Sequence, residues 1–317
     1  MKKALLYSAS VLMLAAMACN KTDNVAIEGD GLIRFAPVAE DTRALVYQST
    51  LSGETFRVYD FKDGEKYIDN QIKYGTDGWV YVDEVDYLWK NTSHKLFGYS
   101  KDFGPLPENQ KISYSKVLTT SPATQVDMLY SATVNTTAEA WKHTAGNTKE
   151  TPVKLNLKHL LSAVSIAVKN GKGSQIVLNT VTVPSISNSG SATVDYSGES
   201  VAITYTDPVV GETPFVSGAA LQDVPVSAGG LVDILTQALG NPTPYMVWPQ
   251  TIPAMDIVVK YTKNGSVYEA TASIPPVKWD AGKLYNYTLI IGEADDILLN
   301  FTVKDWIDGG SEEKDFE

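Results

Sequence analysis

The sequence predicts an all-β protein made of antiparallel β-sandwiches. Strand-like runs such as FRVYDF (56–61) recur along the chain, and convincing helical periodicity is absent. Short segments rich in Gly, Pro, Asn and Asp, such as FGPLPENQ (103–110), separate these runs, as turns do in antiparallel sheets. The 317 residues include 17 tyrosines and 6 tryptophans, and aromatic side chains favour strands.

Residues 1–18 have the pattern of an export signal. Lys2 and Lys3 precede the apolar stretch ALLYSASVLMLAAMA, which is too short and wrongly flanked for a membrane anchor. Small residues directly before Cys19 resemble the lipobox of bacterial lipoproteins, so we expect Cys19 to carry lipid. The alternative is an ordinary secretory signal with a cysteine near the cut.

Cysteine count and charge narrow the possible functions. Cys19 is the single cysteine, so no disulfide can form within the chain and the fold depends on packing. The formal net charge of −11 becomes −13 once residues 1–18 leave with their two lysines. An acidic surface argues against binding to nucleic acid or to anionic membrane faces.

We expect four segments along the chain: the signal at 1–18, a tether at 19–30, and two sandwich domains at 31–147 and 148–317. The division falls in the polar run HTAGNTKETP (143–152). VKLNL (153–157) then alternates as a half-buried strand, although the following KHLLSAVSIAV also reads as a short helix. Later, Asn264-Gly265 between alternating runs predicts a type I′ hairpin.

The sequence predicts neither a catalytic site nor a metal or cofactor site. His94, His143 and His159 have no second His or Cys at ligand spacing. Glycosidases use a pair of carboxylates, so groups of acidic residues are considered as a catalytic site. We interpret all three groups as solvated strand faces, loops or tail: Asp83/Glu84/Asp86, Glu293/Asp295/Asp296 and Glu312/Glu313/Asp315. Four tryptophans that could stack on sugars are expected to lie in the core instead: Trp79, Trp89, Trp141 and Trp248.

An ordered set of short motifs resembles a known family. After the lipobox cysteine come Ile33-Arg34-Phe35, Thr42-Arg43-Ala44, Phe56–Tyr59, Trp89, Asp127–Tyr130, His159, Trp248-Pro249-Gln250, Trp279–Thr288 and Val303–Trp306. This order resembles the FimA/Mfa-type fimbrillins, the type V pilins of Gram-negative anaerobes. The resemblance covers nearly the whole mature chain and implies two tandem transthyretin-like β-sandwiches.

The resemblance also implies a role for Arg43, which lies in a short polar break between LIRFAPV and ALVYQSTL. Such pilins reach the outer membrane as lipoproteins, and an arginine-specific surface protease then cuts after the first strand. Here the cut falls between Arg43 and Ala44. It removes the strand that contains Leu32, Ile33, Phe35 and Val38. From the residues alone, without the resemblance, an ordinary arginine in a solvated turn is the favoured interpretation of Arg43.

Removal of this strand implies assembly by donor-strand exchange with other pilin subunits, in a homopolymer or a heteropolymer. The candidate donor strand contains Leu299, Phe301 and Val303, whereas the tail IDGGSEEKDFE is a poor donor by composition. We therefore expect a structural subunit or tip adhesin of a cell-surface fimbria, not an enzyme, with a receptor on a host or bacterial surface. The alternative is a surface lipoprotein that binds glycans without polymerising.

Overall fold

The computed structural model describes residues 31–39, 54–76, 78–118, 125–144, 152–183, 186–187, 189–206, 219–234, 239–240 and 244–306. Strands make up nearly all of the regular secondary structure of these residues, which confirms the predicted all-β class. The strands up to residue 159 are β1 (Phe35–Ala39), β2 (Thr55–Lys62), β3 (Glu65–Gly75), β4 (Gly78–Tyr81), β5 (Ser93–Ser100), β6 (Lys111–Val117), β7 (Leu129–Ser131), β8 (Val134–Thr137) and β9 (Val153–His159). A 3-10 turn spans Lys101–Phe103 and the helix α1 spans Ala138–Thr144.

Thirteen further strands lie in the described residues after β9. They are β10 (Ser162–Asn170), β11 (Ile176–Thr182), β12 (Ser189–Asp195), β13 (Ala202–Thr206), β14 (Ala219–Val226), β15 (Leu231–Asp233), β16 (Tyr245–Val247), β17 (Gln250–Ile252), β18 (Met255–Lys263), β19 (Ser266–Ile274), β20 (Val277–Trp279), β21 (Lys283–Ile291) and β22 (Ile297–Asp305). No helix appears at KHLLSAVSIAV, because this segment ends β9 and forms most of β10.

The first sheet has the strand order β1-β9-β7-β5-β2-β3-β4, with β8 beside β5. Its strands pair antiparallel except β1, which runs parallel to β9. The sheet curls until its two ends meet. Leu32 forms an antiparallel bridge with Leu88 beyond β4, and the hydroxyl of Tyr81 at the end of β4 donates a hydrogen bond to the Ile33 carbonyl. The segment that contains β1 therefore closes the curled sheet.

The two faces of the first sheet bury different clusters of side chains. Along β2, Phe56 and Val58 point into the curled sheet, and Tyr59 and Phe61 point outward, because side chains alternate along a strand. The outward cluster is covered by a small antiparallel sheet of order β13-β12-β6. Both faces of the first sheet are thus packed.

A second sandwich is formed later in the chain. One sheet has the order β15-β10-β21-β22 with β16 beside β10, and the other has the order β14-β11-β18-β19. The core between them includes Val164, Leu178, Tyr261, Trp279 and Tyr287. The β18–β19 hairpin turns at Asn264 and Gly265, both with positive φ, which confirms the hairpin predicted there.

Strand pairing crosses the predicted division between residues 147 and 148. Strand β9 belongs to the first sheet, and the β12–β13 hairpin pairs with β6. The domain limits 31–147 and 148–317 stay predictions, and the chain contributes strands from after residue 148 to the packing of its first half.

A buried lysine joins two loops of the second sandwich. The ammonium of Lys172, in the turn after β10, donates to the Gly292 carbonyl at 2.6 Å and contacts the Asp295 carboxylate at 2.5 Å. The side chain of Lys172 is fully buried and lies over the ring of Tyr261. Hydrogen bonds from Lys172 and Tyr261 hold the pKa of Asp295 below its ordinary value. This Lys172 clasp fixes the loop that leads into β22.

We predict that Lys172→Met lowers the free energy of unfolding by about 2–4 kcal/mol, because it leaves buried carbonyl groups without a donor. Lys260→Met is the matched control, since its ion pair with Glu269 is exposed and its loss should change stability by at most about 0.5 kcal/mol. Urea unfolding of both variants checks this. Equal losses of unfolding free energy in the two variants would show that the Lys172 clasp stabilises the fold no more than an exposed ion pair does.

Candidate functional site

The first described segment, Gly31–Ala39, lies in a slot between two parts of the first domain. On one side the Ile33 amide donates to the Tyr87 carbonyl at 2.7 Å, and the Trp89 amide donates to the Gly31 carbonyl at 2.8 Å. On the other side β1 pairs with β9 from Phe35↔Val153 to Ala39↔Leu157. The slot therefore supplies hydrogen bonds to both edges of the segment.

Alternate side chains of this segment fill the interior of the curled sheet. Ile33 and Phe35 are buried at 0% and 2% exposure, and Leu32 and Val38 are half-buried. Phe35 meets the ring of Tyr81 edge-on, with ring centroids 6.3 Å apart. Burial of each large apolar side chain contributes about 1.5–3 kcal/mol. The four residues predicted to form the removable first strand thus belong to one segment, with two of them in the core.

Tyr81 positions the start of the segment. Its hydroxyl donates to the Ile33 carbonyl at 2.8 Å, and burial raises the pKa of this hydroxyl, which keeps it protonated as a donor. The ring also packs against Tyr87 at 5.1 Å between centroids. Sequence reasoning missed Tyr81, although its place on an aromatic strand, GWVY, was visible.

An open groove of about 310 Å³ runs beside this segment. Its walls combine apolar and charged side chains from the segment itself, from β3 and β4, and from the loop after β4. They are Leu32, Ile33, Arg34, Phe35, Ile72, Lys73, Trp79, Val80, Tyr81, Glu84, Val85 and Asp86. Removal of the segment would join this groove to the slot and expose the apolar interior.

The candidate donor residues occupy β22, at the edge of the second sandwich. Leu299, Phe301 and Val303 are partly buried against its core, and the Phe301 ring stacks on Tyr287 with centroids 4.6 Å apart. The side chains of these residues are therefore already packed against the core of the second sandwich. The processing residues Cys19, Arg43 and Ala44 lie outside the described residues.

The far end of β22 contacts the first sheet. The Trp306 ring stacks on His159 at 4.0 Å between centroids, and the Trp306 amide donates to the Gly282 carbonyl at 2.7 Å. His159 ends β9, the strand that pairs with β1. We call this contact the Trp306 latch. His159 and Trp306 both belong to the motifs identified in the sequence, but nothing in the sequence indicates that the two side chains contact each other.

Two of the three histidines weighed as possible ligands or catalysts, His94 and His159, have structural partners. His94 bonds the Asp60 carboxylate at 2.6 Å in the fully buried interior, where burial raises the pKa of Asp60 and the bond from His94 opposes that rise. His159 bonds Asp127 at 2.7 Å. His143 lies in α1. Within the described residues, no cluster of three His, Cys, Asp or Glu side chains is suited to a metal ion.

Asp83 and Asp295 have side-chain partners in the fold, and the four tryptophans pack against core residues. Asp83 accepts from the Asn70 amide at 2.6 Å, Asp295 belongs to the Lys172 clasp, and Glu312/Glu313/Asp315 lie outside the described residues. Trp89 and Trp248 are buried, and Trp79 and Trp141 are half-buried against the interior of the first sheet. These positions match the expectation of core tryptophans.

Comparison with known proteins places the chain in a family. A sequence model of the fimbrillin-like family matches residues 42–306, and the chain therefore belongs to the fimbrillin-like family. Membership confirms the resemblance found in the sequence and defines a pilus-type protein of the cell surface with a structural, non-enzymatic role. The match begins after β1, at the residue before Arg43.

Two solved structures of low sequence identity are similar to this chain. A fimbrial protein from Bacteroides vulgatus ATCC 8482 is 14% identical, with a TM-score of 0.50 over 87% of this chain and 99% of that one. A fimbrial assembly protein from Parabacteroides distasonis ATCC 8503 is 12% identical, with a TM-score of 0.41 over 89% of this chain and 98% of that one. No curated protein sequence matches the chain.

The described part of the chain has no helix with the length and apolar character needed to cross a membrane.

We predict that Ile33→Ala lowers the free energy of unfolding by about 2–5 kcal/mol, because it leaves a cavity in the closed interior of the first sheet. Leu298→Ala is the matched control: Leu298 lies on β22 with 64% of its surface exposed, and its truncation should cost at most about 0.5 kcal/mol. Both are measured by urea unfolding of the chain without residues 1–18. Similar losses would contradict a closing role for the first segment.

Proposed function

We propose that this chain is a pilus subunit that is exported as a lipoprotein through Cys19, cut between Arg43 and Ala44, and then completed by a strand from another subunit. The lipid holds the precursor at the outer membrane until the cut, and the mature form resides in the extracellular fimbria. The proposal rests chiefly on one observation. A segment directly before Arg43 supplies the buried side chains Ile33 and Phe35 that close the first sheet.

Cleavage changes how this segment is held. Before the cut it belongs to the same chain as β2, so its local concentration at the slot is high. After the cut it is a separate peptide held only by hydrogen bonds and apolar contacts, and another extended peptide can compete for its place. Such exchange is strand addition, in which backbone hydrogen bonds give affinity and alternate side chains give specificity.

The distribution of arginines supports a single productive cut. The chain has three arginines, Arg34, Arg43 and Arg57. Arg34 lies inside the buried first segment, and Arg57 lies in β2 between two hydrogen-bonded neighbours, β3 and β5. A protease binds its substrate as an extended chain, so both of these bonds require unfolding before cleavage. The Arg43 bond is the remaining target.

Assembly through such a slot propagates in one direction. A subunit that accepts a strand in this slot and donates a strand from another surface makes a head-to-tail contact, which does not close by two-fold symmetry. Repetition of the contact produces a filament. Receptor contact at the filament surface belongs to the same proposal, and the receptor sits on a host or bacterial surface.

The positions of the tryptophans favour this proposal over a glycan-binding lipoprotein. A sugar stacks on an exposed aromatic face, and the four candidate tryptophans pack instead against other rings or core residues. Trp89 and Trp141, for example, stack on one another at 5.8 Å between ring centroids. Saturable sugar binding by an uncut, lipidated chain would support the glycan-binding lipoprotein instead.

We predict that an arginine-specific protease cuts the folded chain once, after Arg43, and that Arg43→Ala abolishes this cut. Dilution of the cut chain should release the first segment and raise the fluorescence of an apolar dye, because the interior of the first sheet becomes accessible. Intact mass spectrometry and dye fluorescence are the measurements. Arg57→Lys is the control and should be cut like the wild type.

Two results would contradict the proposal. The first is cleavage of the folded wild-type chain after Arg34 or Arg57 at a rate similar to cleavage after Arg43. The second is a cut chain that keeps the stability of the uncut chain after the first segment has been removed.

A further inference from the structure

The groove beside the first segment contains a balanced set of charges. Arg34 and Lys73 supply two cations, and Glu84 and Asp86 supply two anions. Glu84 and Asp86 are exposed on the loop after β4, as is the neighbouring Asp83. Hydrogen bonds from Asn70 and from the Val85 amide lower the pKa of Asp83, so this carboxylate is charged at neutral pH.

Departure of the first segment upsets this balance. It removes Arg34, while Lys73, Glu84 and Asp86 stay on the body of the subunit. The groove then carries an excess of negative charge, to which Asp83 adds. Arg34 lies between Ile33 and Phe35, which both enter the interior. A strand that restores the original state therefore needs a cation between two buried apolar side chains.

The chain's own candidate donor strand lacks this pattern. In β22 the inward residues Leu299, Phe301 and Val303 are separated by Asn300 and Thr302, which carry no charge. Lys304 follows Val303, but the next residue is Asp305. Placing Lys304 at the position of Arg34 would put a carboxylate where Phe35 is buried. Burial of an unpaired carboxylate is strongly unfavourable.

Contacts at both ends also keep β22 in its own domain. The Lys172 clasp holds the loop before it, and the Trp306 latch holds its end against His159. Donation of β22 would break both and uncover the core of the second sandwich. The accepting slot, in contrast, is opened by one cut outside any described strand.

We propose that the slot selects a donor strand with a lysine or arginine between two apolar residues that enter the core, and that this donor is a strand of another pilin subunit other than the β22 strand of a second copy of this chain. This inference rests on the proposed function, because it assumes that the first segment is replaced. It assigns the specificity to Glu84 and Asp86.

The test uses the chain without residues 1–18, cut after Arg43 and freed of its first segment. Three fluorescent peptides are titrated onto it: residues 30–41, the same peptide with Arg34→Glu, and residues 296–306 of this chain. We expect the first peptide to bind about 10-fold more tightly than the Arg34→Glu peptide at low ionic strength, with a smaller difference in 0.5 M salt. The peptide 296–306 should bind at least about 10-fold more weakly than the first.

Paired variants of the groove locate the effect. Glu84→Gln with Asp86→Asn should remove most of the difference between the two charge forms of the peptide. The matched control is Glu65→Gln with Glu108→Gln, which neutralises two exposed acids away from the groove and should leave the difference unchanged.

The outcomes separate this inference from the proposed function. If the peptide 30–41 does not rebind, the slot is not a strand-accepting site, and the proposed function fails along with the inference. If it rebinds but the Arg34→Glu peptide or the peptide 296–306 binds equally well, the proposed function stands and the charge selection is wrong.

Discussion

The closing position of the segment Gly31–Ala39 is the constraint on which the rest of the first domain depends. The segment bonds to β9 on one side and to Tyr87–Trp89 on the other, and it brings Ile33 and Phe35 into the interior. Without it, the curled sheet has an open edge of unpaired amide and carbonyl groups above an apolar interior, a state that favours pairing with another chain. This property is the physical basis of the proposal that the intact chain is a stable precursor and that loss of the segment allows it to associate.

The two edge strands β1 and β22 differ in how firmly they are held in the fold. Both strands turn alternate side chains toward a core, and each stands at the end of its strand order. Strand β1 is followed by a stretch that contains Arg43, whereas β22 is held at both ends by the Lys172 clasp and the Trp306 latch. Since Trp306 contacts His159 at the end of β9, the two strands are also linked through one shared neighbour.

Part of this organisation could be predicted from the sequence. Period-two alternation identified the strands, Asn264-Gly265 identified its hairpin, and Ile33 and Phe35 were expected in the first strand. Strand partners could not be predicted in the same way, because alternation specifies which face is buried but not which strand lies alongside. The parallel pairing of β1 with β9 and the pairing of the β12–β13 hairpin with β6 therefore emerged only in three dimensions. Lys172 lies in a Gly-Lys-Gly turn, and only the loop that returns over it explains its burial.

The N-terminus and mass of the protein recovered from the cell surface test the central claim most directly. The account predicts a chain that begins at Ala44, lacks lipid and occurs in sheared material of high mass. A chain that still begins at lipidated Cys19, with the bond after Arg43 intact and no polymer, would contradict cleavage-driven assembly. It would leave the first segment as a permanent part of a monomeric surface lipoprotein.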